Sequence, residues 1–186
     1  MGVSFLMQKV DVDRQSVGVE AAAREARYSA LASECGSEEC LVTAHHQDDQ
    51  AETVLLQIMR GAGVKGLSAM PVMRYCHGNI LLRPMLGILR EDIERYAIAQ
   101  GLSWVEDKSN VDVRYSRNHL RQKVIPLMRS RWPSFTPSLA KTADHCREAN
   151  VLLSQLAQID IERTSRSSRW RARDFCLTLG CRSHLS

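Results

Sequence analysis

The stretch Cys40-Leu41-Val42-Thr43-Ala44-His45-His46-Gln47-Asp48-Asp49-Gln50-Ala51-Glu52-Thr53 decides how the rest of the chain is read. It opens on an apolar run, Cys40 to Ala44, with the length of a buried strand. Apolar residues then recur at Ala51, Val54, Leu55 and Ile58, the spacing of a helix with one buried face, and Gly61 stops it. A polar cluster separates the two. At the carboxyl end of a strand, such a cluster sits where open α/β sheets place their ligands.

Working outward, Val3 to Val12 is β-branched and partly alternating, which predicts a strand, and Val17 to Ala32 has the Ala, Glu and Arg content of a helix. Ile80-Leu81-Leu82 is a further strand inside the looser stretch from Gly61 to Gly87, and Leu89 to Gln100 is an amphipathic helix ended by Gly101. After a polar loop, Glu106 to Tyr115, helical spacing resumes at His119 and runs to about Ile161, interrupted at Pro126 and Pro133. Strands alternating with helices predict an α/β fold: a partial parallel, Rossmann-like sheet with flanking helices, followed by a helical segment. Parallel sheets need helices on both faces, so this few strands imply part of a doubly wound domain. The expected division is 1–115 for the α/β part, 116–161 for a helical segment and 162–186 for a Ser/Arg-rich tail that cannot bury a core and is expected to be disordered.

A length of 186 residues excludes a large multi-domain machine, and 44% hydrophobic with 25% charged residues is enough for a real core. No apolar run approaches the ~18 residues of a membrane span, and the opening Met1-Gly2-Val3-Ser4-Phe5-Leu6-Met7 has no cationic lead. A cytoplasmic protein without a membrane partner is expected. The six cysteines, with no CxxC pair, then read as free thiols rather than disulfides or zinc ligands. Charge is distributed unevenly: residues 1–110 carry 11 Lys/Arg against 15 Asp/Glu, whereas residues 111–186 carry 14 against 6. Twenty of the 25 basic residues are Arg, whose planar fork suits phosphate. A small-molecule site beside a polyanion-binding surface fits that asymmetry; a solvated Arg-rich face is the plainer reading.

Several constellations carry possible chemistry. Asp49 and Glu52 are three apart and share a helix face, while Asp48 at the helix start is favoured by the macrodipole. Capping explains part of this cluster. Paired His and Asp could also ligate a metal, as in phosphohydrolases, or the two carboxylates could hold a cationic amine. The lack of a further ligand set elsewhere favours the amine, and no metal site is expected. Gly61-Ala62-Gly63-Val64-Lys65-Gly66 spells GxGxxG but follows a helix and precedes a Pro-containing loop, so it reads as a helix stop rather than a dinucleotide fingerprint. Glu20, Arg24, Arg27 and Tyr28 share one helical face, as an ordinary surface ion pair also would. Arg114, Arg117 and Arg121 lie three and four apart beside Asn118, with Tyr115 and Trp132 available to stack on unpaired bases. That ridge suits RNA, or is simply a solvated basic face.

In order, Glu20-x-x-Ala23-Arg24-x-x-Arg27-Tyr28, Thr43-Ala44-His45-His46-x-Asp48-Asp49-x-x-Glu52-Thr53, Arg60-Gly61-x-Gly63-x-x-Gly66-Leu67, Arg83-Pro84-Met85-Leu86, Asp107-x-Ser109-Asn110 and Arg117-Asn118-x-x-Arg121 resemble the tRNA(Ile)-lysidine synthetase family, from about Lys9 to Leu156. The HHxDD segment is shared with other PP-loop ATP pyrophosphatases; the ordered set of motifs is specific. The resemblance implies the PP-loop ATPase fold and a tRNA-modifying ligase. Such an enzyme adenylates the C2 carbonyl of the wobble cytidine of isoleucine tRNA, and free lysine then displaces AMP to form lysidine.

By the same resemblance, Asp49 and Glu52 would bind lysine or help deprotonate its amine, and His45 with Arg24 or Arg27 would bind ATP, accompanied by Mg2+. Arg117, Asn118 and Arg121 would face tRNA or the activated intermediate, and a homo-oligomer is allowed. The SGGxDS turn that cradles pyrophosphate in that family does not occur in these 186 residues, so the resemblance implies a truncated copy. Two alternatives remain: a catalytically inactive RNA-binding fragment, and a related PP-loop tRNA thiolase, against which the lack of CxxC counts.

Overall fold

The computed structural model describes residues 4–10, 19–36, 38–105 and 112–166. Among these, helix α1 spans Val19–Ser33, strand β1 Cys40–Val42, helix α2 Gln47–Met59, the one-turn helix α3 Val64–Leu67, strand β2 Met73–Cys76, strand β3 Asn79–Leu82 and helix α4 Arg90–Ala99. Helix α5 (Ser116–His119), a π-helical turn (Leu120–Val124), α6 (Ile125–Arg131) and the long α7 (Phe135–Arg166) complete them.

The sheet has the order β1-β3-β2. β1 and β3 are parallel, with Leu41 opposite Leu81, so both strands end on the same edge of the sheet, and Thr43 N–H extends the ladder to the Leu82 carbonyl at 3.0 Å. The expected parallel pairing is thus present in part, and β2, which the sequence did not reveal, adds antiparallel to β3 to make the sheet mixed. Its hairpin turns at His77 and Gly78, whose φ values of 50° and 83° match the twist of a tight two-residue connection. Met73, Arg74 and Tyr75 are exposed, so β2 lacks the alternation by which a half-buried strand announces itself.

The strand expected over Val3 to Val12 is also corrected: residues 4–10 carry no strand, and Phe5, Leu6 and Met7 stand in solvent. Alternation produces a strand only where a neighbour accepts its hydrogen bonds. The rest of that interval lies outside the described residues, as do most of the loop from Glu106, with Asp107-x-Ser109-Asn110, and 167–186 of the tail.

Two apolar clusters position the site. Tyr28 and Ala32 of α1 pack on Leu41 of β1 and on Cys76 and Leu81 of the hairpin, with Cys35 alongside. Leu55 of α2 packs with Leu120 of the π turn and Ile125 of α6, flanked by Phe135 and Leu139 of α7. The segment after residue 116 is therefore fastened directly onto α2. Pro126 does not interrupt it, because it stands in the first turn of α6, where a missing N–H is harmless. Pro133 falls in the break between α6 and α7, and α7 runs on to Arg166, about a turn beyond the expected end.

The glycine motif ends one helix and begins another. Gly61 follows α2 with φ +67°, as the helix stop requires, and α3 starts directly after Gly63. The expected plain loop thus contains a short helix. Gln50, almost fully buried on α2, holds the chain beyond α3: its amide donates to the Met70 carbonyl (2.9 Å) and accepts from Met70 N–H (3.0 Å).

Candidate active site

The shared carboxyl edge of β1 and β3 brings together residues distant in sequence. Thr43 and His45 follow β1, Arg83 follows β3, and α2 starts directly beyond His46. The Thr43 hydroxyl and His45 Nδ1 share a hydrogen bond of 2.8 Å. The His45 pKa is lowered from 6.5 to about 4, chiefly by burial; the charge of Asp49 opposes the shift, and the cations Arg83, Arg117 and Arg24 add to it. His45 is consequently a neutral imidazole at neutral pH, with Asp49 on the one hand and three arginines on the other acting on it.

Arg83 is almost entirely enclosed. Its Nη1 donates to the Pro71 carbonyl at 2.8 Å, and its Nε is buried with no acceptor among the described residues. Burial pushes its pKa down, partly offset by the Tyr28 hydroxyl. An enclosed guanidinium with an unsatisfied donor beside two more arginines is a setting in which an anion gains strong charge-assisted hydrogen bonds. Arg83 was quoted in the sequence only as part of a motif. Its place immediately after a strand parallel to β1 is the signal that could have given it a role.

The carboxylates of α2 adjoin this group, Asp49 being near enough to act on His45. Asp49 accepts from His46 N–H at 3.0 Å, so the capping reading holds for part of the cluster. Asp48 accepts from Arg90 N–H at 2.9 Å, tying the start of α4 to the start of α2. Glu52 is fully buried and receives a two-pronged bond from Arg121, Nε to Oε1 at 2.6 Å and Nη2 to Oε2 at 3.0 Å, while Nη2 also reaches Asp49 Oδ1 at 3.2 Å. Burial raises the Glu52 pKa, and the Arg121 hydrogen bonds and charge oppose that rise. Burial acts to lower the Arg121 pKa, yet its bonds to Glu52 and the nearby Asp49 leave it raised.

Asp49, Glu52, His45, Arg117 and Arg121 are thus gathered in one place. Arg117 donates to the Thr53 hydroxyl at 3.2 Å, and Asn118 to the Asp112 carbonyl at 2.9 Å. Arg24 comes close enough to act on both His45 and Arg83, whereas Arg27 stands exposed, 5.7 Å from the centre of the Tyr28 ring. The expected Arg ridge is corrected. Arg114 precedes α5 and pairs with Asp112 in solvent, while Arg117 and Arg121 turn inward, because the π turn and α5 pack against α2. Tyr115 and Trp132 remain exposed.

The profile of the PP-loop domain family matches residues 1–128. The chain belongs to the PP-loop domain family. This PP-loop chain is similar to the tRNA(Ile)-lysidine synthase of Pseudomonas syringae pv. tomato, 50% identical over 161 residues that cover 87% of the chain and 36% of that protein. It is similar also to the enzyme of the same name from Coxiella burnetii, 44% identical over 167 residues covering 89% of the chain and 37% of the relative. The chain therefore spans little more than a third of the length of these curated relatives.

Among solved structures, the U34-tRNA thiolase NcsA from Methanococcus maripaludis, determined with its 4Fe-4S cluster, superposes with a TM-score of 0.51 at 15% identity, over 69% of this chain and 42% of the thiolase. That likeness supports the fold. Among the described residues, no helix is long and apolar enough to cross a membrane.

Proposed function

We propose that this PP-loop chain serves the ATP-dependent ligation of lysine to the wobble cytidine of isoleucine tRNA, forming lysidine through an adenylated cytidine. The observation that carries the proposal is the polarity of the site: a buried carboxylate pair, Asp49 and Glu52, lies beside a neutral His45 surrounded by Arg24, Arg83 and Arg117. The chemistry needs both signs. The C2 carbonyl of cytidine reacts only when its oxygen becomes a leaving group, which calls for cations around phosphate, and the attacking amine must be oriented and lose a proton.

Each group then has a task. Arg24 and the buried Arg83 hold phosphate oxygens of ATP, and His45, kept uncharged and oriented through Thr43, lines the nucleotide without adding charge. Arg27, on Tyr28, remains a secondary candidate for the nucleotide. Asp49 and Glu52 receive the ammonium of lysine and take its proton as it attacks. Arg117, Asn118 and Arg121 face the tRNA or its adenylated intermediate. In this reading 1–115 houses the reaction, 116–161 faces tRNA and 162–186 is a tail, in a cytoplasmic ligase.

Among the described residues no group of three or more His, Cys, Asp or Glu is placed to hold a metal ion, and Asp48, Asp49 and Glu52 are already committed to N–H donors. In this reading a Mg2+ ion would arrive on the phosphate oxygens of ATP rather than on a site formed by the described residues alone.

The test is transfer of labelled lysine to tRNA carrying a wobble cytidine. Asp49→Asn should abolish transfer while retaining tRNA binding; normal transfer by that variant removes the assigned role. Salt-sensitive tRNA binding by the unaltered chain with no ATP-dependent AMP release would favour the RNA-binding alternative.

A further inference from the structure

The connection from α3 to β2 runs through Ser68-Ala69-Met70-Pro71, and side chains from three separate parts of the fold bond to it. Ala69 has φ 49°, a left-handed conformation that a residue with a Cβ keeps only where its surroundings enforce it. Gln50 of α2 pairs with both main-chain polar groups of Met70, on one side of Ala69. Arg147 of α7 adds a second hold. Its Nη2 donates to the Ser68 and Met70 carbonyls, each at 3.3 Å, so one guanidinium nitrogen ties together the two carbonyls that flank Ala69. Asp144, one turn earlier on α7, pairs with the other arm of that guanidinium.

The third hold comes from the cationic side of the site. Arg83 donates through Nη1 to the Pro71 carbonyl at 2.8 Å, and its main-chain N–H donates to the Val72 carbonyl at the same distance. Proline has no N–H, so the carbonyl is the one main-chain group that Pro71 offers, and its position follows from how Met70 is held. A guanidinium is planar and rigid, so anchoring Nη1 also restricts where Nε points. That Nε is the buried donor with no acceptor among the described residues.

We propose that Arg147 is a positioning residue for Arg83: by holding the left-handed conformation of Ala69 it places the Pro71 carbonyl, and through that carbonyl the Arg83 donor that meets phosphate. This rests on the phosphate role given above to Arg83. Arg147 acts at one remove, on the connection and not on the anion. Gln50 does not replace it, because Gln50 bonds to Met70 and leaves the Ser68 carbonyl to Arg147. Helix α7, which packs on α2 and α3, is by this device part of the frame that aims the phosphate-binding arginine.

The experiment is calorimetric titration of the full chain with inorganic pyrophosphate. The proteins are the unaltered chain, Arg83→Met, Arg147→Met, the double variant Arg83→Met/Arg147→Met and the double variant Arg147→Met/Ala69→Gly, each first shown to melt cooperatively above the titration temperature. In parallel, NMR follows the Arg83 Nε–H resonance, identified by its disappearance in Arg83→Met. Arg147→Met should weaken pyrophosphate binding by roughly three- to tenfold, the worth of one hydrogen bond, and should shift the Arg83 resonance. It should cost nothing further once Arg83 is gone. Ala69→Gly, which adopts the left-handed conformation without being held there, should recover part of the loss.

If Arg147→Met does not fold, Arg147→Lys supplies the same comparison, keeping the charge without the fork, and a smaller loss is expected. The same loss from Arg147→Met with and without Arg83 overturns the proposal, since Arg147 would then act on the anion by its own charge. Unchanged affinity with an unmoved Arg83 resonance overturns it as well. If the unaltered chain takes up no pyrophosphate, the phosphate role of Arg83 fails, and the resonance alone judges the positioning: shifted by Arg147→Met, the proposal stands; unmoved, it falls.

Discussion

Acidification should weaken the fold through His45, and the effect can be sized. In the folded chain its pKa is lowered from 6.5 to about 4, so between those values the unfolded chain binds a proton that the folded chain refuses. Stability from this group is fully present above 6.5 and is lost as pH falls from 6.5 toward 4. At about 1.4 kcal/mol per pH unit the whole displacement corresponds to roughly 3 kcal/mol, and the ring's partial contact with solvent reduces that to about 2 kcal/mol.

Glu52 acts in the opposite sense. Its raised pKa makes its contribution fall as pH rises above the ordinary carboxylate value of 4.5. The perturbation that isolates the histidine is His45→Gln, which can keep a hydrogen bond to the Thr43 hydroxyl but has no proton to take up. Denaturant unfolding of both proteins from pH 7.5 to 4.5, in steps of about half a unit, should show the unaltered chain losing about 2 kcal/mol more than the variant. Parallel pH profiles, or a His45 ring titrating near 6.5 by NMR, would refute the burial and the cationic surroundings inferred here.

Three further outcomes are expected. Gln50→Leu strands the Met70 N–H in the interior and should cost about 2 kcal/mol in chemical denaturation; a change near zero would show that the clasp on Met70 is not needed. Gly66→Ala would place a Cβ 2.6 Å from the Ala62 Cβ and should destabilise by about 1–2 kcal/mol, with Ala62→Gly restoring much of the loss. Arg117→Gln should weaken binding of isoleucine tRNA and reduce the slope of log affinity against log salt by about 1; an unchanged slope would place Arg117 away from phosphate.

The segment from Cys40 to Thr53 could be read because two periodicities meet in it, and a strand end followed by an amphipathic helix leaves its polar residues a single place to go. The apolar face of α2 was legible at Ala51, Val54 and Leu55, but Ile58 is half exposed, because the helix outruns the surface it packs on. β2 was not legible: three of its four residues face solvent, and only pairing to β3 makes it a strand.

Charge signs were harder still. Spacing places Asp49 and Glu52 on one face, yet it carries no information that Arg121, 69 positions beyond Glu52, bonds to that carboxylate. The arginines looked like a surface ridge because spacing along a helix gives relative direction and not which side meets the core. Arg83 was invisible as a buried cation, since nothing local signals that a charged residue will be enclosed.

The most direct test of the central claim is AMP release from ATP by this chain, measured with isoleucine tRNA carrying a wobble cytidine, with the same tRNA carrying uridine there, and with and without free lysine. The account expects release that depends on the cytidine, with lysine appearing in the tRNA in proportion to AMP. AMP release indifferent to the wobble base, or tRNA binding with no release under any combination, would contradict it.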